Sequence, residues 1–172
     1  MIVLKINYFC FDSKYNKITI KTIVKINNCM IHKKFRCNCP ITSALDVVGD
    51  KWSLVIIKQM LLQDCLTFKD FSESTEAIAP NILSARLKTL EKLKFIEKKK
   101  IPQNKKTNIY LLTQNGLSLT PIIVELALWS DHNLRPIHQK MDLHPILDAM
   151  NQNKNEVIKR LQKEYKIKTA TL

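Results

Sequence analysis

Glycine is almost missing from this chain of 172 residues, which has two, Gly49 and Gly116. A loop that cradles phosphate through closely approaching backbone amides needs several glycines together, so dinucleotide-binding and P-loop fingerprints are excluded. Long apolar runs are missing too. Stretches such as Leu54 to Ile57 fall far short of the roughly 18 residues that span a bilayer. The N-terminal MIVLKINYFCFDSKYNK has no cationic start before its apolar stretch and no small-residue cleavage site after it, so it does not read as a secretory signal. The expected compartment is the cytoplasm, and no membrane partner is expected. The five cysteines, Cys10, Cys29, Cys37, Cys39 and Cys65, are an odd number at irregular spacings in a reducing compartment, which speaks against a disulfide framework. No histidine stands at an interpretable spacing from a nucleophile; His132, His138 and His144 read as loop or surface residues. Asp46, Asp50, Asp70, Glu73 and Glu76 read as helix caps and solvated faces, so no enzymatic activity and no cofactor are expected.

Acidic residues are scarce beside basic ones, 15 against 28, for a net charge of +13. The excess lies at the ends. Residues 1–38 carry eight basic and one acidic side chain, residues 39–131 twelve and ten, and residues 132–172 eight and four. A balanced middle with dense apolar periodicity reads as one folded domain at 39–131, flanked by basic extensions at 1–38 and 132–172 that suit a polyanion or simple solubility. The N-terminal extension alternates apolar and polar residues around Ile18, Ile20, Ile23 and Ile26, as strands do, and Met30 is an alternative start of translation.

From Pro40 the period becomes helical, with Ile41, Ala44, Leu45 and Val48 on one stripe and Gly49 at its stop. Asp50 can cap a second helix carrying Trp52, Val55, Ile56 and Met60 and ending near Gln63. An extended Leu66-Thr67-Phe68 and a brief helix over Lys69 to Ser74 follow, and Pro80 opens a helix to about Lys94. Phe95 to Ile101 and Thr107 to Leu112 read as a hairpin around the polar tip Pro102 to Lys106. Thr113 is expected to cap one long helix bearing Leu117, Ile122, Ile123, Leu126 and Trp129, with Pro121 near its beginning. A short amphipathic helix is expected near Glu156 to Tyr165, with Val157, Leu161 and Tyr165 on one side.

This order is mainly α with a small β-wing, an α+β winged helix-turn-helix whose second motif helix enters the major groove. At 100° per residue, Leu83, Leu87, Leu90 and Lys94 share one side of the Pro80 helix, and Asn81, Ser84, Ala85, Lys88 and Lys92 the other. Short Ser84 and Ala85 let the backbone approach bases, Asn81 can offer a bidentate amide to adenine, and Lys88 can meet phosphate or guanine. A solvated surface helix would carry the same polar face. Arg86 sits at the edge of the apolar stripe, where an ion pair with a neighbouring carboxylate suits it better than a base contact. Gln103, Asn104, Lys105 and Lys106 form a cationic wing tip suited to a minor groove or a phosphate, with Lys98, Lys99 and Lys100 beside it.

The chain resembles the HxlR-type winged-helix regulators of bacteria. The resemblance rests on Cys39-Pro40, Gly49-Asp50-Lys51-Trp52, Thr67-Phe68-Lys69-Asp70-Phe71, Ile82 through Glu91, Tyr110 through Gly116 and Pro121 through Trp129, in matching order and covering about residues 39–130. Asp50 interrupts the family's Gly-Lys-Trp, Thr67 replaces an Arg, and Lys94-Phe95 replaces Asp-Gly before the wing. The resemblance implies a homodimeric, DNA-binding transcriptional regulator, with the first and last domain helices at the dimer interface and paired recognition helices on a pseudo-palindrome. Independently, Ile122, Leu126, Leu128 and Trp129 give the last helix more apolar surface than a three-helix core needs, which marks either an interface or a face covered by the C-terminal segment. Cys39 occupies the position that senses electrophiles or oxidants in several members, and Lys33, Lys34, Arg36 and a following helix N-terminus favour its thiolate. Two other readings stand beside the regulator. One is a metal- or thiol-chemistry protein using the cluster from Cys29 to Cys39 with His32, although one residue between Cys37 and Cys39 lacks the paired spacing of closed zinc sites. The other is a non-specific architectural nucleic-acid binder.

Overall fold

The computed structural model describes residues 35–101, 104–141, 146–170 and 172. The strands expected before residue 35, Cys10, Cys29, His32, Gln103 and His144 lie outside these residues. Residues 34–172 form one compact unit, which includes the C-terminal helix.

Helix α1, Pro40–Val48, begins on the proline and stops at Gly49. Its apolar stripe is not a core stripe: Ile41 and Leu45 are exposed and Val48 alone is buried. Gly49 has φ −80°, so the glycine serves close approach and not a left-handed turn. A Cβ there would lie 2.4 Å from the Leu45 carbonyl oxygen. Helix α2, Ser53–Leu62, is entered as expected through Asp50, whose Oδ1 accepts the amides of Trp52 at 2.9 Å and Ser53 at 3.0 Å. It buries Ile56, Ile57 and Met60 and, unforeseen, Gln59. Helix α3, Phe68–Ser72, is shorter than its sequence pattern suggests. Thr67 and Asp70 form a reciprocal capping box at its start, satisfying amides that the first turn leaves without partners.

Helix α4, Pro80–Lys92, packs Leu83, Leu87 and Leu90 into the core. Lys94 does not continue that stripe as its angle suggests; it is exposed, past the helix end, with φ 60°. Strands β1, Ile96–Ile101, and β2, Asn104–Leu112, pair antiparallel from Ile96 opposite Leu112 to Lys100 opposite Asn108, with a register shift before Ile101. Asn104, Lys105 and Lys106 therefore belong to β2, where the sequence pattern puts them in the turn. A rudimentary third strand flanks β2: the Tyr110 amide donates to Leu66 C=O at 2.7 Å, and Thr67 bridges to Ile109.

The helix expected from Thr113 is two. Thr113 caps only α5, Gln114–Leu117, and α6, Thr120–Leu134, starts afresh with Pro121 in its first turn. Pro121 lacks the N–H and fits only there, which separates the two. Gly116 permits α5 to lie against the start of the wing, since a Cβ there would fall 2.2 Å from Phe95 O. Helix α7, Leu147–Thr169, is far longer than the expected terminal helix and kinks at Asn153, with φ −152° and ψ 83°. It packs on α2 and α6, burying Leu147, Met150, Val157, Leu161 and Tyr165. Each large side chain removed from water contributes about 1.5–3 kcal/mol, so α7 is held by its apolar stripe and not by its charge.

Candidate nucleic-acid interface

Burial splits α4 as its periodicity predicts. Leu83, Leu87 and Leu90 are at most 2% exposed, while Asn81, Ala85, Lys88 and Lys92 face water and Ser84 is half-buried. Arg86 is also half-buried, and its Nε lies 3.3 Å from Asp50 Oδ1. The neighbouring carboxylate that sequence alone does not name is thus the residue capping α2. Arg86 is turned toward Asp50 as an ion pair, its buried Nε closing no hydrogen bond, and the exposed face belongs to the other polar side chains.

The wing adds cations. Lys98, Lys99 and Lys100 of β1 are exposed; Lys98 Nζ stands 6.0 Å from the Tyr110 ring centroid and Lys99 Nζ 2.9 Å from Glu97 Oε1. Asn104, Lys105 and Lys106 follow in the backbone of β2. Thr67 stands where the family pattern has Arg, and its hydroxyl serves the fold locally by accepting the Asp70 amide, 3.2 Å away.

Apolar side chains remain in water in groups on α1 and α6, beside single ones such as Phe68 of α3 and Ile167 of α7. On α6, Ile122, Leu126 and Trp129 are 39%, 45% and 56% exposed, and on α1, Ile41 and Leu45 are 71% and 55% exposed. Helix α7 does not cover them.

Cys39 is exposed at the N-cap of α1. Its side chain closes no capping hydrogen bond, yet the amide and hydroxyl of Thr42 and the amide of Ile41 hold the thiol below its ordinary pKa, against a slight opposing effect of burial. Of the cations credited from the sequence, Arg36 is not among the causes. Arg36 spends its charge on Asp46, with Nε 2.5 Å from Oδ1 and its amide 3.1 Å from Oδ2; Lys33 and Lys34 lie outside the described residues. Sequence reasoning misses Thr42, although its place three residues into a helix is legible. Cys65 is the opposite case, a buried thiol whose pKa burial pushes up, with Asp70 and Glu76 adding to the effect. Among the described residues no cluster of His, Cys, Asp and Glu could hold a metal ion, and no helix is long and apolar enough to cross a membrane. His132 and His138 are exposed.

Two helices joined by a turn, the second with an outward polar face, followed by a two-stranded cationic wing, define a winged helix-turn-helix protein. The model of the HxlR-like helix-turn-helix family matches residues 47–138, and the chain belongs to that family. The HTH-type transcriptional regulator YodB of Bacillus subtilis is 31% identical over 99 residues, which are 57% of this chain and 88% of YodB. Among solved structures, PA1607, described as a candidate transcription factor, aligns with TM-score 0.52 and 30% identity over 57% of this chain and 67% of its own. The redox regulator HypR in its reduced form aligns with TM-score 0.51 and 25% identity over 59% of this chain and 99% of its own.

Proposed function

We propose that the protein is a sequence-specific DNA-binding transcriptional regulator, a repressor, that binds a pseudo-palindromic operator as a homodimer. The observation that carries this reading is the division of α4 into a buried leucine stripe and a face of Asn81, Ser84, Ala85 and Lys88 with Arg86 withdrawn to Asp50. Asn81 then reads adenine and Lys88 meets phosphate or guanine, while Lys98 to Lys100 of β1, Gln103 and the first residues of β2, Asn104 to Lys106, take a flanking groove or backbone. The uncovered Ile122, Leu126 and Trp129 of α6 support a dimer interface, joined by Ile41 and Leu45 of α1, because apolar surface of that extent is rarely left in water. Cys39 is the switch: an exposed thiol with a lowered pKa is what an electrophile or oxidant attacks, and HypR is described as a redox regulator. The protein works in the cytoplasm without a cofactor.

The test is titration of the full chain against its own upstream DNA and a shuffled competitor across a salt series, with dithiothreitol and then with diamide. Preference for the upstream DNA, lost on oxidation and retained by Cys39→Ser, is the expected result. Asn81→Ala should cost about 1–3 kcal/mol at one base pair, and Lys88→Ala should weaken binding to all sequences while lowering the salt slope by about one. Leu126→Glu should yield a monomer in sedimentation and abolish operator binding. Equal affinity for shuffled DNA would replace this reading with an architectural binder, and bound metal in anaerobically purified protein would favour thiol or metal chemistry at the cysteine cluster.

A further inference from the structure

Helix α7 lies beyond the family match at 47–138, yet it ties itself to the wing. Along β2, residues 110 and 112 point their amides the same way, since a strand alternates, and neither amide goes to β1. The Tyr110 amide donates to Leu66 C=O at 2.7 Å. The Leu112 amide donates to the hydroxyl oxygen of Tyr165 on α7, 2.8 Å away and buried. Tyr165 thus continues, with one side chain, the edge that the rudimentary third strand begins. Three residues earlier, Gln162 Nε2 donates to Leu117 C=O of α5 at 2.9 Å, and three residues later Lys168 pairs with Asp64 in the turn before Leu66. One face of α7 therefore holds the last residue of β2, the helix after it and the turn that leads into its flanking strand.

A two-stranded hairpin alone is marginal in water, and its orientation is set by what grips its base. The base here is Ile96 paired with Leu112, both buried. We propose that Tyr165 is a positioning residue for DNA binding: through Leu112 it fixes the angle at which the wing leaves the domain, so that α7 sets how the wing's lysines meet the DNA backbone. This rests on the DNA-binding reading above. Losing the hydroxyl leaves the Leu112 amide buried without an acceptor and frees the base of the hairpin to shift.

The test uses four full-length chains on the upstream DNA over a salt series: wild type, Tyr165→Phe, the wing variant Lys105→Ala/Lys106→Ala, and the two combined. Tyr165→Phe should weaken binding about threefold to tenfold and flatten the slope of log K against log salt by about one, as each lost phosphate contact does. The combined variant should lose less than the product of the separate effects, because both act through the wing. A chain that is only less stable loses affinity with its folded fraction and keeps its slope; Val157→Ala, which trims the seat of α7 without touching Leu112, should behave that way. An unchanged slope in Tyr165→Phe, or effects that multiply while the wing variant alone flattens the slope, overturns the inference and leaves the DNA-binding reading intact. A wing variant with the wild-type slope removes the wing from the DNA-binding reading, and this inference with it.

Discussion

Arg86 in the middle of α4 and Asp50 at the entry of α2 lie 3.3 Å apart, nitrogen to carboxylate oxygen, so the carboxylate that caps one helix is the counter-ion of a side chain on the other. The Asp50 carboxyl is pushed up by partial burial, but hydrogen bonds from the Ser53 hydroxyl and the Trp52 and Ser53 amides, with the Arg86 charge, bring it below the usual carboxylate value. The residue that interrupts the family's Gly-Lys-Trp thus acts both as cap and as counter-ion. Asp50→Ala should cost about 1–2 kcal/mol, and Arg86→Ala under about 1 kcal/mol, because that pair is part-exposed. A depressed pKa contributes stability above the unfolded value of about 3.9, lost as pH falls through the folded one. Urea melts at pH 7 and pH 3 should show the Asp50→Ala deficit at the first and its shrinkage at the second.

Glu76 is not the solvated carboxylate its sequence neighbourhood suggests. Burial pushes it up, but the Lys58 ammonium and Gln59 Nε2, 2.8 Å away, overrule that and hold it at about 2. Gln59 is fully buried and also donates to the Ser74 hydroxyl at 2.7 Å, so this polar cluster pins α2 to the turn between α3 and α4. The sign is as for Asp50: its contribution is complete above the unfolded value of about 4.3 and lost as pH falls toward about 2. Glu76→Gln should destabilise by about 1–2 kcal/mol at pH 7, with the deficit reduced to a small remainder at pH 2, measured by denaturant unfolding.

The end of α4 is a Schellman motif without its glycine. The Phe95 amide donates to Leu90 C=O and the Lys94 amide to Glu91 C=O, both at 3.0 Å, with Lys94 at φ 60° between them and Leu90 and Phe95 buried together. A lysine there bears the steric cost of the left-handed region that glycine avoids. Lys94→Gly should raise stability by about 1 kcal/mol, seen as a higher melting temperature.

Cys39 owes its lowered pKa first to Thr42. Thr42→Val removes the hydroxyl and should raise the thiol pKa, slowing alkylation by iodoacetamide at pH 7 relative to wild type while leaving the rate at pH 10 unchanged. Equal rates at both pH values would show that the Thr42 hydroxyl does not activate the thiol and leave the Thr42 and Ile41 amides as its support.

Much of this is legible in the sequence because it is local. The stripe of Leu83, Leu87 and Leu90, the caps at Asp50 and Thr113 and the two strands of the wing follow from periodicity and from residues that meet within a turn. Errors arise where a local rule has two outcomes. The spacing of Ile41 and Leu45 marks an apolar stripe but not what it packs on, since burial depends on what lies opposite, and nothing in the described unit does. Lys94 has the angle of a stripe residue only if the helix continues through it.

The sequence by itself determined a winged helix-turn-helix, the polar face of α4 and a thiol beside a helix start, because repeat spacing and capping chemistry act over a few residues. Tertiary structure alone decided that the carboxylate facing Arg86 is Asp50, that Glu76 is clamped by Lys58 and Gln59, and that Tyr165 meets Leu112 at the base of the wing. Those partners lie from 17 to 53 positions apart. Chain spacing carries no record of such contacts; packing of the leucine stripes brings them into reach, and only then can their ion pairs and hydrogen bonds form.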